Sequence, residues 1–160
     1  MHMIEKFLAY MEECGWKIEM KEKREDLPET VKNRYEHVPE IWSDLITTVQ
    51  SMISSDETTW FLCKDDYDPQ KDKAFQWNEW ELLSLEGIEN DAEWESEIKE
   101  FWNQHLPMIL SVKDGYSYYA ISMENGSIVK GSEPEFEECE WVADSFEDFM
   151  KKIMNRELQL

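Results

Sequence analysis

PMILSVKDGYSYYAISMENGSIVK, residues 107–130, decides the fold. Residues 107–112, 116–123 and 127–130 form three runs that can extend, separated by Lys113-Asp114-Gly115 and Glu124-Asn125-Gly126. Asp-Gly and Asn-Gly between apolar or alternating runs are the strongest short-range hairpin signals, because tight turns need a positive φ that Gly, Asn and Asp tolerate. The stretch therefore predicts a three-stranded antiparallel meander. In its middle strand, alternation sends Tyr119, Ile121 and Met123 one way and Tyr118, Ala120 and Ser122 the other. The first set reads as core, with Tyr118 the candidate for exposure.

Working outward, a charged helix closes the chain. Asp144 or Ser145 can cap it, Glu147 or Asp148 sits three residues on, and Phe146, Phe149, Met150, Ile153 and Met154 follow at helical spacing. Upstream, residues 3–13 predict a helix ending near Gly15, a suitable residue just past a helix end. Trp16, Ile18 and Met20 alternate with Lys17, Glu19 and Lys21, which suits a half-buried edge strand over residues 16–24. Pro28 sits in the first turn of a helix through Tyr35. Pro39 starts another, in which Ile41, Trp42, Leu45, Ile46, Val49, Met52 and Ile53 share one face. Residues 58–63 read as a short strand and residues 64–73 as a polar loop. Asn78 with Glu81 has the spacing of a capping pair, and Trp94, Ile98, Phe101 and Trp102 mark one more amphipathic helix. Helices plus an antiparallel meander predict a single α+β domain over residues 1–160, its antiparallel sheet covered by several helices.

The order of landmarks along the chain is itself informative. Leu27-Pro28 opens a helix, Trp60-Phe61-Leu62 lies in a strand, and Phe101-Trp102 precedes Leu106-Pro107. Asp114-Gly115-Tyr116, then Gly131-Ser132-Glu133-Pro134-Glu135-Phe136, then Val142-Ala143-Asp144-Ser145-Phe146 leading to Phe149, complete the layout. Spanning residues 25–154, it resembles the SUKH superfamily, which includes the yeast Smi/Knr cell-wall-assembly regulators and many bacterial immunity proteins that neutralise polymorphic toxins. The resemblance implies a sheet covered by helices and a role in binding a protein partner. The chain departs from many relatives after the Leu-Pro helix, where Tyr35 is followed by Glu36, His37 and Val38 in place of a glycine-rich turn.

Composition narrows the function classes. The 160 residues are 41% hydrophobic with 8 Trp, enough to bury a core despite a net charge of −21. The first 34 residues are nearly balanced, and residues 74–98 and 131–150 contain no Lys or Arg. Such a field repels phosphates and anionic lipid and speeds encounter with cationic partners, which argues against nucleic acid and membrane. The same charge also serves solubility. Cys14, Cys63 and Cys139 are far apart and make neither a CxxC pair nor an even disulfide framework, the pattern of free thiols in a reducing, cytoplasmic setting. Cys63 ends an apolar run and reads as a small core residue. Ile4, Phe7, Leu8 and Met11, interrupted by charge, make neither a signal peptide nor a membrane span.

The residue types that carry chemistry do not assemble a metal or catalytic motif. If Asp66 began a calcium loop, Lys71 would stand where Gly is needed and Trp77 where a bidentate Glu is needed. His2, His37 and His105 have no ligand spacing and read as surface or packing residues. No cofactor is implied. Glu133, Glu135 and Glu137 would lie on one side of an extended backbone, and their crowding would raise some pKa values, which keeps an acidic hydrolase as a third reading. That chemistry also needs a dry cleft.

The favoured constellation is aromatic residues beside acids. Trp77, Trp80 and Trp94 lie among Glu79, Glu81, Glu93 and Glu95, while Tyr116, Tyr118 and Tyr119 follow Asp114. Aromatics supply contact area and carboxylates supply steering. The candidate partner-binding residues are Trp77, Glu79, Trp80, Glu81, Asp114, Tyr116, Tyr118, Glu133, Glu135, Glu137 and Glu138, with Phe136 anchoring the acidic segment. The expected role is non-enzymatic: an immunity protein that blocks a basic toxin domain, such as a nuclease. The alternative is a regulatory adaptor akin to the yeast regulators.

Overall fold

The computed structural model describes residues 2–68 and 76–160. Along the chain run α1 (His2–Glu13), β1 (Lys17–Met20), α2 (Glu29–Arg34), α3 (Glu40–Thr48), β2 (Val49–Ile53) and β3 (Thr59–Phe61). A 3-10 turn at Lys64–Tyr67 leads to α4 (Glu79–Glu86), α5 (Ala92–Asn103), β4 (His105–Ser111), β5 (Ser117–Ser122), β6 (Ile128–Ser132), β7 (Cys139–Ala143) and α6 (Phe146–Met154). Among the described residues the strands form one seven-stranded sheet in sequence order, every neighbouring pair antiparallel. The result is an α+β fold.

The meander stands as its turns predict. Gly115 and Gly126 take φ of 95° and 78°, the left-handed region that their tight turns require. Both faces of the sheet are covered. Phe61, Ile109 and Tyr119 are cross-strand neighbours; Phe61 meets Phe7 of α1 at 6.0 Å and Tyr119 meets Phe149 of α6 at 5.5 Å. On the opposite face Trp60, Leu110 and Tyr118 align, and α4 and α5 bring Trp80 and Trp102 onto Tyr118 at 5.5 and 5.0 Å. Tyr118 is therefore fully buried, correcting its expected exposure. Alternation predicts one wet face only when helices cover one side; β5 is buried on both, as its unbroken apolar run allows.

Two further corrections concern strands. The helix begun by Pro39 stops at Thr48, and residues 49–53 pair with β1 instead. Thr47 and Thr48 turn their hydroxyls back to the Ser43 and Asp44 carbonyls at 2.7 and 2.8 Å, and the β-branched run of residues 46–49 favours extension. Glu19 pairs with Ser51 and Met20 with Val49, so Gln50 is an extra residue that resets the alternation. Val49 and Met52 are consequently both buried three residues apart, a spacing that mimics a helix. The edge strand near residues 16–24 is shorter than expected, ending at Met20, which is exposed. β7, inside the acidic segment, was not anticipated.

α6 is capped by Ser145, whose Oγ accepts from Asp148 N at 3.0 Å, while Asp148 accepts from Asp144 N at 3.0 Å. Cys63 is buried, and Cys14 and Cys139 are free and exposed. The 3-10 turn buries Tyr67, whose hydroxyl donates to Pro107 O at 2.7 Å; residues 69–73 of the expected polar loop, and with them part of the rejected calcium register, lie outside the described residues. Among the described residues, no helix is long and apolar enough to cross a membrane, and no three His, Cys, Asp or Glu side chains could together hold a metal ion.

Candidate partner-binding groove

α4 and α5 pack as neighbouring helices joined by residues 87–91. Asp91 starts α5 by accepting from Trp94 N at 3.0 Å. Trp80 and Trp102 stack at 6.4 Å beneath these helices, and Trp80 also lies 5.7 Å from Tyr116. These rings form a floor on which the turn between β6 and β7, residues 133–138, is fastened. The Tyr118 hydroxyl donates to Phe136 O, and Phe136 is buried as expected. Glu137 Oε2 accepts from Ser84 Oγ at 2.6 Å and from Trp102 Nε1 at 2.9 Å. Glu133 Oε1 accepts from Tyr116 N at 3.1 Å.

This fastening corrects the expected extended run of carboxylates. Residues 133–138 fold as consecutive turns, so Glu133, Glu135 and Glu137 do not share one side of a strand. Glu137 is tied inward, Glu133 is exposed but held by Tyr116 N, and Glu135 and Glu138 are left exposed against each other. Hydrogen bonding with Glu135, reinforced by its charge, raises the Glu138 pKa. Among the described residues no Lys or Arg pairs with Glu79, Asp114, Glu133, Glu135, Glu137 or Glu138.

Several aromatic candidates are not available to a partner. Trp77 and Trp80 are buried, as is Glu81. Arg34 grips Glu81 with two 2.8 Å bonds, donates to Asn103 Oδ1 at 2.9 Å and lies 5.6 Å from the Trp77 ring and 5.7 Å from that of Tyr35. The expected Asn78–Glu81 cap is therefore not made, because an arginine from α2 takes the carboxylate first. Tyr116 is half-buried, and burial pushes its hydroxyl pKa well up, with Glu79 adding to the effect. Asp114 is exposed in the β4–β5 turn. His105 stacks on Phe101 at 4.0 Å, and burial lowers its pKa, in keeping with a packing residue; His2 and His37 are exposed.

The aromatic exposed beside the 133–138 turn is Trp94. It stands 50% exposed, with Leu83 at 36%, and together with Ile98 they wall a groove of about 450 Å³ whose other side carries Glu135, Glu137 and Glu138. Helical periodicity places Trp94 on the apolar stripe with Ile98 and Trp102, but in the first turn of α5 it stands exposed while Ile98 and Trp102 are buried. Leu83 and Ser84 gave no separate signal in sequence. No family model matches the chain, and no curated protein or solved structure matches it.

Proposed function

We propose that this chain is a non-enzymatic, cytoplasmic protein-binding module, and that it serves as an immunity protein which neutralises a basic toxin domain by stoichiometric binding. The observation that carries the reading is the groove just described, where a half-exposed Trp94 and a partly exposed Leu83 face carboxylates that no Lys or Arg among the described residues engages, on a chain of net charge −21. Exposed aromatic and aliphatic side chains beside carboxylates suit a cationic protein surface: apolar area holds, and charge steers. The SUKH-like order of landmarks supports the same reading. The Glu135–Glu138 pair is also the feature that favours a hydrolase, but both carboxylates are exposed, whereas acid–base work in a carboxylate pair draws on a water-poor cleft.

Co-expression with the toxin candidate encoded beside it tests the proposal. Survival of the host and a one-to-one complex at low salt are expected; continued killing with no complex at low salt overturns it. An adaptor of the cell-wall-regulator kind would instead alter growth or envelope when deleted with no toxin present.

A further inference from the structure

The groove between α4, α5 and the 133–138 turn has two unlike walls. Leu83 and Trp94 offer apolar surface over the buried Ile98, and Glu135, Glu137 and Glu138 offer charge. Lys99, the lysine of α5, is engaged with Glu95 at 3.0 Å, so the helix supplies no cation to the acidic wall. Glu137 is fixed by Ser84 and Trp102, which holds the acidic wall in place. Glu135 and Glu138 crowd each other, and a cation between them would relieve that crowding. A guanidinium fits both walls at once: its fork serves two carboxylates and its face stacks on an indole, a combination that an ammonium matches less well.

The molecule already uses this arrangement internally. Arg34 makes a two-pronged contact with Glu81 while lying over Trp77 and Tyr35. On the surface, Lys152 sits 4.2 Å from the Trp141 ring. The groove presents the same pair of partners, indole and carboxylates, with no guanidinium of this chain between them.

We infer that this groove receives an arginine of the protein partner, its guanidinium between Trp94 and the Glu135–Glu138 pair and a neighbouring apolar residue against Leu83. The inference rests on the protein-binding reading above and names the chemistry of the anchor.

The probe is acetyl-Ala-Leu-Arg-Ala-amide, compared with the same peptide carrying citrulline, which keeps the shape and removes the charge. The indole Nε1–H resonance of Trp94, assigned by its loss in Trp94→Phe, reports seating. A saturable shift with the arginine peptide is expected, with affinity falling about tenfold for citrulline and by a similar factor in Glu135→Gln/Glu138→Gln. Both carboxylates are exposed, so this variant should keep the wild-type spectrum elsewhere. Equal binding of the two peptides, or no shift of Trp94, overturns the inference. The same variant is then offered the toxin domain: an undiminished complex overturns the arginine anchor and leaves the immunity reading standing. If the peptide seats at Trp94 but wild-type protein does not bind the toxin, the immunity reading fails and the anchor stands.

Discussion

Tyr118 joins the sheet to the two helices and to the acidic turn. Its ring meets Trp80 and Trp102, and its hydroxyl satisfies the buried Phe136 carbonyl that anchors the acidic turn. Burial pushes its pKa well up, so it stays a donor throughout the working pH range. Tyr118→Phe should cost about 1–2 kcal/mol, because it leaves that carbonyl without its partner. Gly131 lies against the same ring: a Cβ there would come within 2.5–2.7 Å of it. Gly131→Ala should cost about 1–3 kcal/mol by overpacking. Urea midpoints of both variants check these values. At the surface, hydrogen bonds and charge from Lys21 and Lys64 hold Glu25 down to about 2. A folded-state pKa below the ordinary 4.5 means this contribution is present above about 4.5 and is lost as pH falls toward 2. Lys21→Met should move the Glu25 titration back toward the ordinary value, as followed by carboxyl NMR.

At the scale of elements, the joint between α2, α4 and α5 depends on one ion pair. Arg34 and Glu81 are partly buried and buried, and removing one leaves the other without its counter-charge. Arg34→Met should cost about 2–4 kcal/mol, and Arg34→Met/Glu81→Leu less than the sum of the single changes, as a double-mutant cycle will show. This joint also marks where local reading stops. Asn78 and Glu81 have capping spacing, and nothing within that window reveals that Arg34 comes from another helix to claim Glu81. β2 was hidden for a different reason: the bulge at Gln50 buries residues three apart, and a period of three reads as helix. The turn-defined strands were legible because their cause is local, as Gly115 and Gly126 need their positive φ whatever packs around them. The Ser145 cap was legible on the same ground.

For the whole molecule, charge was legible in the sequence and its disposition was not. The aromatic candidates divided once the fold covered both faces of the sheet, with Trp80 and Tyr118 becoming floor and Trp94 remaining at the surface. The acidic segment divided likewise, with Glu137 tied inward and Glu133, Glu135 and Glu138 facing solvent. Burial on both faces is a long-range property, so the acidic and Trp-rich segments are legible in sequence while which of their side chains reach the surface is set by the fold. The central claim is that the acidic groove face binds and blocks a basic toxin domain, and titration calorimetry of the protein against that domain at about 50 mM and about 500 mM salt tests it most directly. The account predicts one-to-one binding whose affinity falls at least about tenfold at the higher salt. Absence of binding at low salt, or an affinity indifferent to salt, would contradict it.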